Sequence, residues 1–134
     1  MIVTGLAADL PPGSHRFDTI VVSSNGNLGV PTGATLTIPT ATGVLTSGGD
    51  TGYLTLSGGT LTTASGLTIP SGVALNGGMT NATSLTGPIT VAAGGMMTHY
   101  ANASTEAYKL NLAISGDLTV SAGGVIDANV KGHA

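Results

Sequence analysis

The chain has 134 residues, a net charge of −3 and no cysteine, and its only basic side chains beyond histidine are Arg16, Lys109 and Lys131. These counts exclude a disulfide framework, thiol chemistry and the basic footprint of a nucleic-acid binder. Only 7% of residues are charged, against about 25% in an average globular chain, yet 41% hydrophobic content is too apolar for a disordered one. The 22 glycines show no three-residue period, which removes collagen. The length reads as one domain.

Residues 1–16 read as an N-terminal arm or cap. Met1-Ile2-Val3-Thr4-Gly5-Leu6 has neither the basic start nor the long apolar run of a secretory signal. Pro11-Pro12-Gly13 interrupts regular structure, and Ser14-His15-Arg16 carries a small basic cluster. An uncovered β-stack presents unpaired backbone groups, so His15 and Arg16 are candidate partner contacts at a chain end.

From residue 17 a phrase recurs: an apolar residue, a polar or β-branched one, an apolar one, a glycine-containing corner and another apolar residue. It appears at Ile20-Val21-Val22, Leu36-Thr37-Ile38, Leu54-Thr55-Leu56, Leu67-Thr68-Ile69, Ile89-Thr90-Val91 and Leu118-Thr119-Val120. The last copy continues as Ser121-Ala122-Gly123-Gly124-Val125-Ile126. Alternation places two apolar side chains on one face and threonine on the other. Threonine suits a half-exposed pleated position, glycine permits the corner, and Pro39 and Pro70 end their runs. Each copy is too short to bury its own apolar side, so it needs a neighbour above and below.

Successive starts lie 16, 18, 13, 22 and 29 residues apart. A self-similar period near roughly 20 residues marks stacked-repeat architectures, and the unequal steps place insertions at the corners. The expected fold is all-β: a short parallel β-helix, or β-solenoid, of irregular coils over residues 17–134. At about 4.8 Å per coil, five or six coils would form a column roughly 25 Å tall. A compact β-sandwich or β-barrel is the alternative. Ser47-Gly48-Gly49-Asp50-Thr51-Gly52 and Asn76-Gly77-Gly78 read as turns, and no Gly-Lys-Ser/Thr follows Gly48 to make a phosphate loop.

Residues 98–109 break the phrase and account for the 29-residue step. This insertion holds His99, two of three tyrosines (Tyr100 and Tyr108), the sole glutamate Glu106, and Lys109. Tyrosine is favoured at protein interfaces and loops on rigid scaffolds carry function, so His99, Tyr100, Glu106 and Tyr108 join His15 and Arg16 as candidate partner contacts. Ser104 or Thr105 could cap one helical turn through Lys109; a lateral loop is the alternative. Strands resume at 110–114, 118–126 and 127–130.

Residues for chemistry are sparse. His15, His99 and His133 lack metal-ligand spacing. Asp117 and Asp127 flank the last phrase, and a glycoside-cleaving pair is conceivable, but Asp117 after Gly116 is simply read as a turn residue. Asn81-Ala82-Thr83 and Asn102-Ala103-Ser104 match the glycosylation sequon. Thr35-Leu36-Thr37 and Thr60-Leu61-Thr62 have the form of an ice-binding Thr-x-Thr ladder, which the unequal steps would disrupt. No catalytic, cofactor or metal residue is assigned.

The phrase at Leu118–Asp127 resembles the parallel β-helix segments of large bacterial surface proteins and autotransporter passengers. It is also similar to small virion proteins of tailed phages: head fibres, decoration proteins and tailspikes. The resemblance implies a non-enzymatic structural protein of a virion, self-associating as a trimer and docking on a capsid or tail protein. The alternative is a fragment of a surface adhesin or autotransporter passenger that binds a host partner or a surface glycan. A polysaccharide-cleaving β-helix enzyme is the third reading. Neither nucleic acid nor membrane insertion is expected: no run approaches the ~18 apolar residues of a membrane helix, and four aromatic residues cannot girdle a membrane barrel.

Overall fold

The structure, a computed structural model, describes residues 1–46, 50–78 and 82–132. Among the described residues every regular element is a strand. The strands wind into a parallel β-solenoid, with each coil built from a first, a second and a third face. The first coil is β1 (Ile2–Thr4), β2 (Ala7–Asp9) and β3 (Gly13–Arg16). Above it come β4 (Ile20–Ser23), β5 (Asn27–Pro31) and β6 (Ala34–Thr37), then β7 (Val44–Leu45), β8 (Gly52–Ser57) and β9 (Thr60–Thr62). The next two coils are β10 (Leu67–Ile69), β11 (Val73–Gly77) and β12 (Thr83–Thr86), then β13 (Ile89–Val91), β14 (Met96–His99) and β15 (Leu112–Ile114). β16 (Leu118–Val120) and β17 (Val125–Asp127) start one more.

The second face is one six-stranded sheet in the order β17-β14-β11-β8-β5-β2 and the third a five-stranded sheet, β15-β12-β9-β6-β3. The first face is split into β1-β4-β7 and β10-β13-β16. All these pairings are parallel, as the winding requires: each strand meets the equivalent strand of the next coil only after a full turn through the other two faces.

Register turns the phrase into columns. On the second face Ala8, Leu28, Leu54, Leu75, Met97 and Ile126 align inward. On the third face His15, Leu36, Leu61, Leu85 and Ile114 do so. On the first, Leu67, Ile89 and Leu118 stack beside Ile69, Val91 and Val120. Within the middle coils these side chains form one continuous apolar core, with Leu28, Leu36, Leu54, Leu61, Leu75 and Ile89 wholly buried. Burying each contributes about 1.5–3 kcal/mol.

The corners also stack. Gly52 N–H donates to Gly72 O (2.9 Å), Gly72 to Gly94 O (3.1 Å) and Gly94 to Gly123 O (2.8 Å), which makes a ladder of glycines between the first and second faces. Gly94 sits at φ +74°, and a Cβ there would run into Ser71 below. Gly94→Ala is therefore expected to lower stability by about 1–3 kcal/mol through positive φ and overpacking, measured as a shift in the urea midpoint.

Four expectations need correction. The phrases at 20, 36 and 54 are not successive coils, because they lie on the first, third and second faces. Followed along the second face, the coil steps from Ala7 through Asn27, Tyr53, Ala74, Met96 and Val125 are 20, 26, 21, 22 and 29 residues. Residues 1–16, expected as an arm or cap, are the three strands of the first coil, paired in register with β4, β5 and β6. Asn76-Gly77, read as a turn, lies at the end of β11 and is buried. After β17 the chain turns at once, with Asp127 Oδ1 accepting the Asn129 N–H (2.9 Å), so residues 128–130 add no strand.

Candidate functional site

Two regions stand out from the repetitive column: the lateral insertion and the uncovered last coil.

The insertion lies between β14 and β15 and folds back across the outer side of the second face. No helical turn forms in it; it is an irregular loop. Gly77 gives it a seat, since a Cβ there would run into the Lys109 carbonyl and Leu110, a close backbone approach that glycine permits. Tyr100 reaches down the face, where its hydroxyl accepts from Asn27 Nδ2 (2.9 Å) and lies 3.4 Å from Thr55 Oγ1. Thr55 in turn donates to Asn27 Oδ1 (2.6 Å), and Asn76 Nδ2 donates to Thr55 Oγ1 (3.4 Å). The outer polar column of the second face is thereby satisfied beneath the loop. Tyr108 meets Tyr100 edge to face, with ring centroids 5.2 Å apart at 75°.

Asn102 organises this loop. Its Nδ2 donates to Tyr108 O (2.8 Å) and Lys131 O (3.0 Å), and its Oδ1 accepts from Ala107 N (2.7 Å) and Tyr108 N (2.8 Å). Every polar position of the amide is engaged, so the second sequon is not presented as a glycan acceptor while the loop is folded. Beside it, Lys131 Nζ donates to Thr98 Oγ1 and lies 3.8 Å from Asp127 Oδ2.

The candidate contacts divide into two groups: His15 and Arg16 lie on β3, the outermost strand of the third face, whereas His99 ends β14 and Tyr100, Glu106 and Tyr108 lie in the insertion over the second face. His15 sits half-buried at the foot of an aliphatic column, with Nε2 2.8 Å from Pro11 O. Arg16 is exposed and pairs with Asp18 at 3.2 Å. In the insertion, His99 Nδ1 is 2.7 Å from Tyr100 O, and Glu106 pairs with Lys109 at 3.1 Å on the surface. Tyr100, still 39% exposed, and the half-buried Tyr108 lie against each other, with the Tyr100 hydroxyl on Asn27. His133, Asn81 and the Gly48-Gly49 turn lie outside the described residues. Sequence reasoning passed over Asn102 as a loop anchor; the nearby signal was the Gly77-Gly78 pair, where glycine marks close backbone approach.

Among the described residues no group of three or more His, Asp or Glu side chains is placed to hold a metal ion. Asp127 is engaged by Lys131 and Asn129, and the Asp117 carbonyl accepts the Ile89 N–H (2.8 Å). The Thr-x-Thr pairs do align: Thr35, Thr60 and Ser84 form one row on the outer third face, and Thr37, Thr62 and Thr86 the next. The unequal steps are absorbed at corners, leaving an uncharged hydroxyl face across three coils.

The last coil is different in kind. Leu118 and Val120 occupy the columns of Ile89 and Val91, and Ile126 that of Met97. Those counterparts are fully buried, whereas Leu118, Val120 and Ile126 are 42%, 43% and 50% exposed, with Val125 beside them at 43%. Ser121 N–H donates back to Val91 O (2.9 Å) and Val125 N–H to Gly95 O (3.1 Å). Alternation along a strand therefore turns the N–H groups of Val120 and Ile126 outward, as on any open edge. The opposite end does not keep the leucines of the core columns: Ala8 and His15 stand where inner coils have leucine. This leaves an open groove of about 320 Å³ lined by Met1, Ile2, Val3, Thr4, Leu6 and Ala8. No protein-family model, curated protein or solved structure matches this chain.

Proposed function

We propose that this protein is a non-enzymatic structural module that joins a larger assembly end-on through its last coil, as a component of a phage virion such as a decoration protein, head fibre or tail spike. The observation that carries the reading is the exposed continuation of the core at Leu118, Val120 and Ile126. An apolar edge with free backbone donors is a template for further β-structure. The ionisable side chains are sparse, and Arg16, Lys109 and Lys131 each pair with a carboxylate of the same chain, which adds support for a structural role. A second reading, a surface adhesin, is favoured by the uncharged Thr/Ser face, which suits a glycan better than a charged partner.

Light scattering after size exclusion tests the first reading. The wild-type chain is expected to associate with rising concentration to a multiple of 12.9 kDa. The double variant Val120→Lys, Ile126→Lys is expected to remain a monomer with an unchanged circular dichroism spectrum. A wild-type chain that stays monomeric at every concentration would contradict association through this end.

A further inference from the structure

Resting on the reading of the last coil as a docking end, we infer what docks there: a β-coil carrying this chain's own apolar–Thr–apolar phrase and glycine corner, distinct from the chain's own first coil. It adds in parallel along β16 and β17, as β16 and β17 add to β13 and β14. The argument is continuity of an interface already present. The β16 columns repeat those below them residue for residue in kind: Leu67, Ile89, Leu118; Thr68, Thr90, Thr119; Ile69, Val91, Val120. The corner glycines Gly72, Gly94 and Gly123 continue the same ladder, each with positive φ. Whatever suits the upper edge of β13 and β14 suits the upper edge of β16 and β17. An inner coil edge of this kind is covered by two apolar side chains on the first face, a threonine between them, and a corner glycine. Main-chain bonds give such strand addition its affinity and the alternate side chains its selectivity.

The first coil of a second copy does not meet this description. Following the register outward on the second face, Asp9, Gly29, Thr55, Asn76, Thr98 and Asp127 form one column. Head-to-tail stacking in register would set Asp127 of one copy against Asp9 of the next, a destabilising like-charge pair. It would also lay Ala8 on Ile126 where inner coils pack Leu54 on Leu75. Association of the isolated protein is then a substitute for the matched coil and is displaced by it.

The probe is a synthetic peptide with the sequence of residues 89–98, extended by two lysines at each end for solubility, which sets a threonine rather than an aspartate over Asp127. Added to the full chain, it is expected to convert associated protein to a 1:1 complex and to slow exchange of the Val120 and Ile126 amides at least tenfold. The Val120→Lys, Ile126→Lys variant is expected to lose binding, as is a peptide with aspartate in place of its isoleucine and its valine. Association of the wild type without peptide binding overturns this inference while leaving end-on docking standing. Open-ended growth that the peptide does not arrest overturns it in favour of head-to-tail copies. A monomeric protein that binds the peptide supports it, and transfers the docking role from self-association to another chain.

Discussion

Leu75→Ala is expected to cost about 3 kcal/mol of folding stability, a large share of the roughly 5–15 kcal/mol typical of a domain. Leu75 is wholly buried, packed in its column between Leu54 below and Met97 above. Removing its branched end leaves a cavity that neighbouring coils cannot close without breaking their own register. The same truncation one column position beyond Met97, Ile126→Ala, is expected to cost less than about 1 kcal/mol, because that side chain is half in water already. Urea denaturation of the two variants side by side reads the gradient. Equal losses would mean that the last coil is covered in the same way as the inner ones. A coil contacts only its neighbours, so exchange protection should fall most in the coils flanking residue 75.

Asn102→Ala should be the most damaging change in the insertion. Four hydrogen bonds are lost together, two donated and two accepted. At about 0.5–1.5 kcal/mol net for each, and with the side chain only half-buried, a loss near 2–3 kcal/mol is expected. The loop should lift from Gly77, freeing Tyr100 from Asn27 and from Tyr108. Near-ultraviolet circular dichroism of the tyrosines is the direct readout: their signal should collapse in Asn102→Ala while the far-ultraviolet strand spectrum stays. Retention of the tyrosine signal would show that the Tyr100–Tyr108 contact is held without Asn102.

Much of this fold is written in the alternation itself. Leu36 and Ile38, or Ile89 and Val91, flank a threonine, and the structure buries the apolar pair and leaves Thr37 and Thr90 on the outer side. The glycine corners and the extra length at 98–109 were equally readable. What the sequence conceals is which face each phrase belongs to. Leu36-Thr37-Ile38 and Leu54-Thr55-Leu56 have the same pattern because any face of a three-sided coil needs the same alternation. Local pattern fixes inside and outside, while the winding is decided by corner geometry and by long-range register. The first coil was hidden for a related reason: Ala8 and His15 replace leucines at its inward positions, and a terminal coil with one neighbour need not keep the phrase. The role of Asn102 was invisible because its four partners come from residues 107, 108 and 131, brought to it only when the insertion lies down.

The open end is tested most directly by amide hydrogen exchange at Val120 and Ile126, compared with Met97, in dilute and in concentrated protein. In dilute monomer the Met97 amide should be strongly protected and those of Val120 and Ile126 should exchange fast, since they face outward from the last strands. Raising the concentration should slow Val120 and Ile126 and leave Met97 unchanged. Slow, concentration-independent exchange at Val120 and Ile126 would mean that their edge is already paired within a single chain, and end-on docking through the last coil would have to be abandoned.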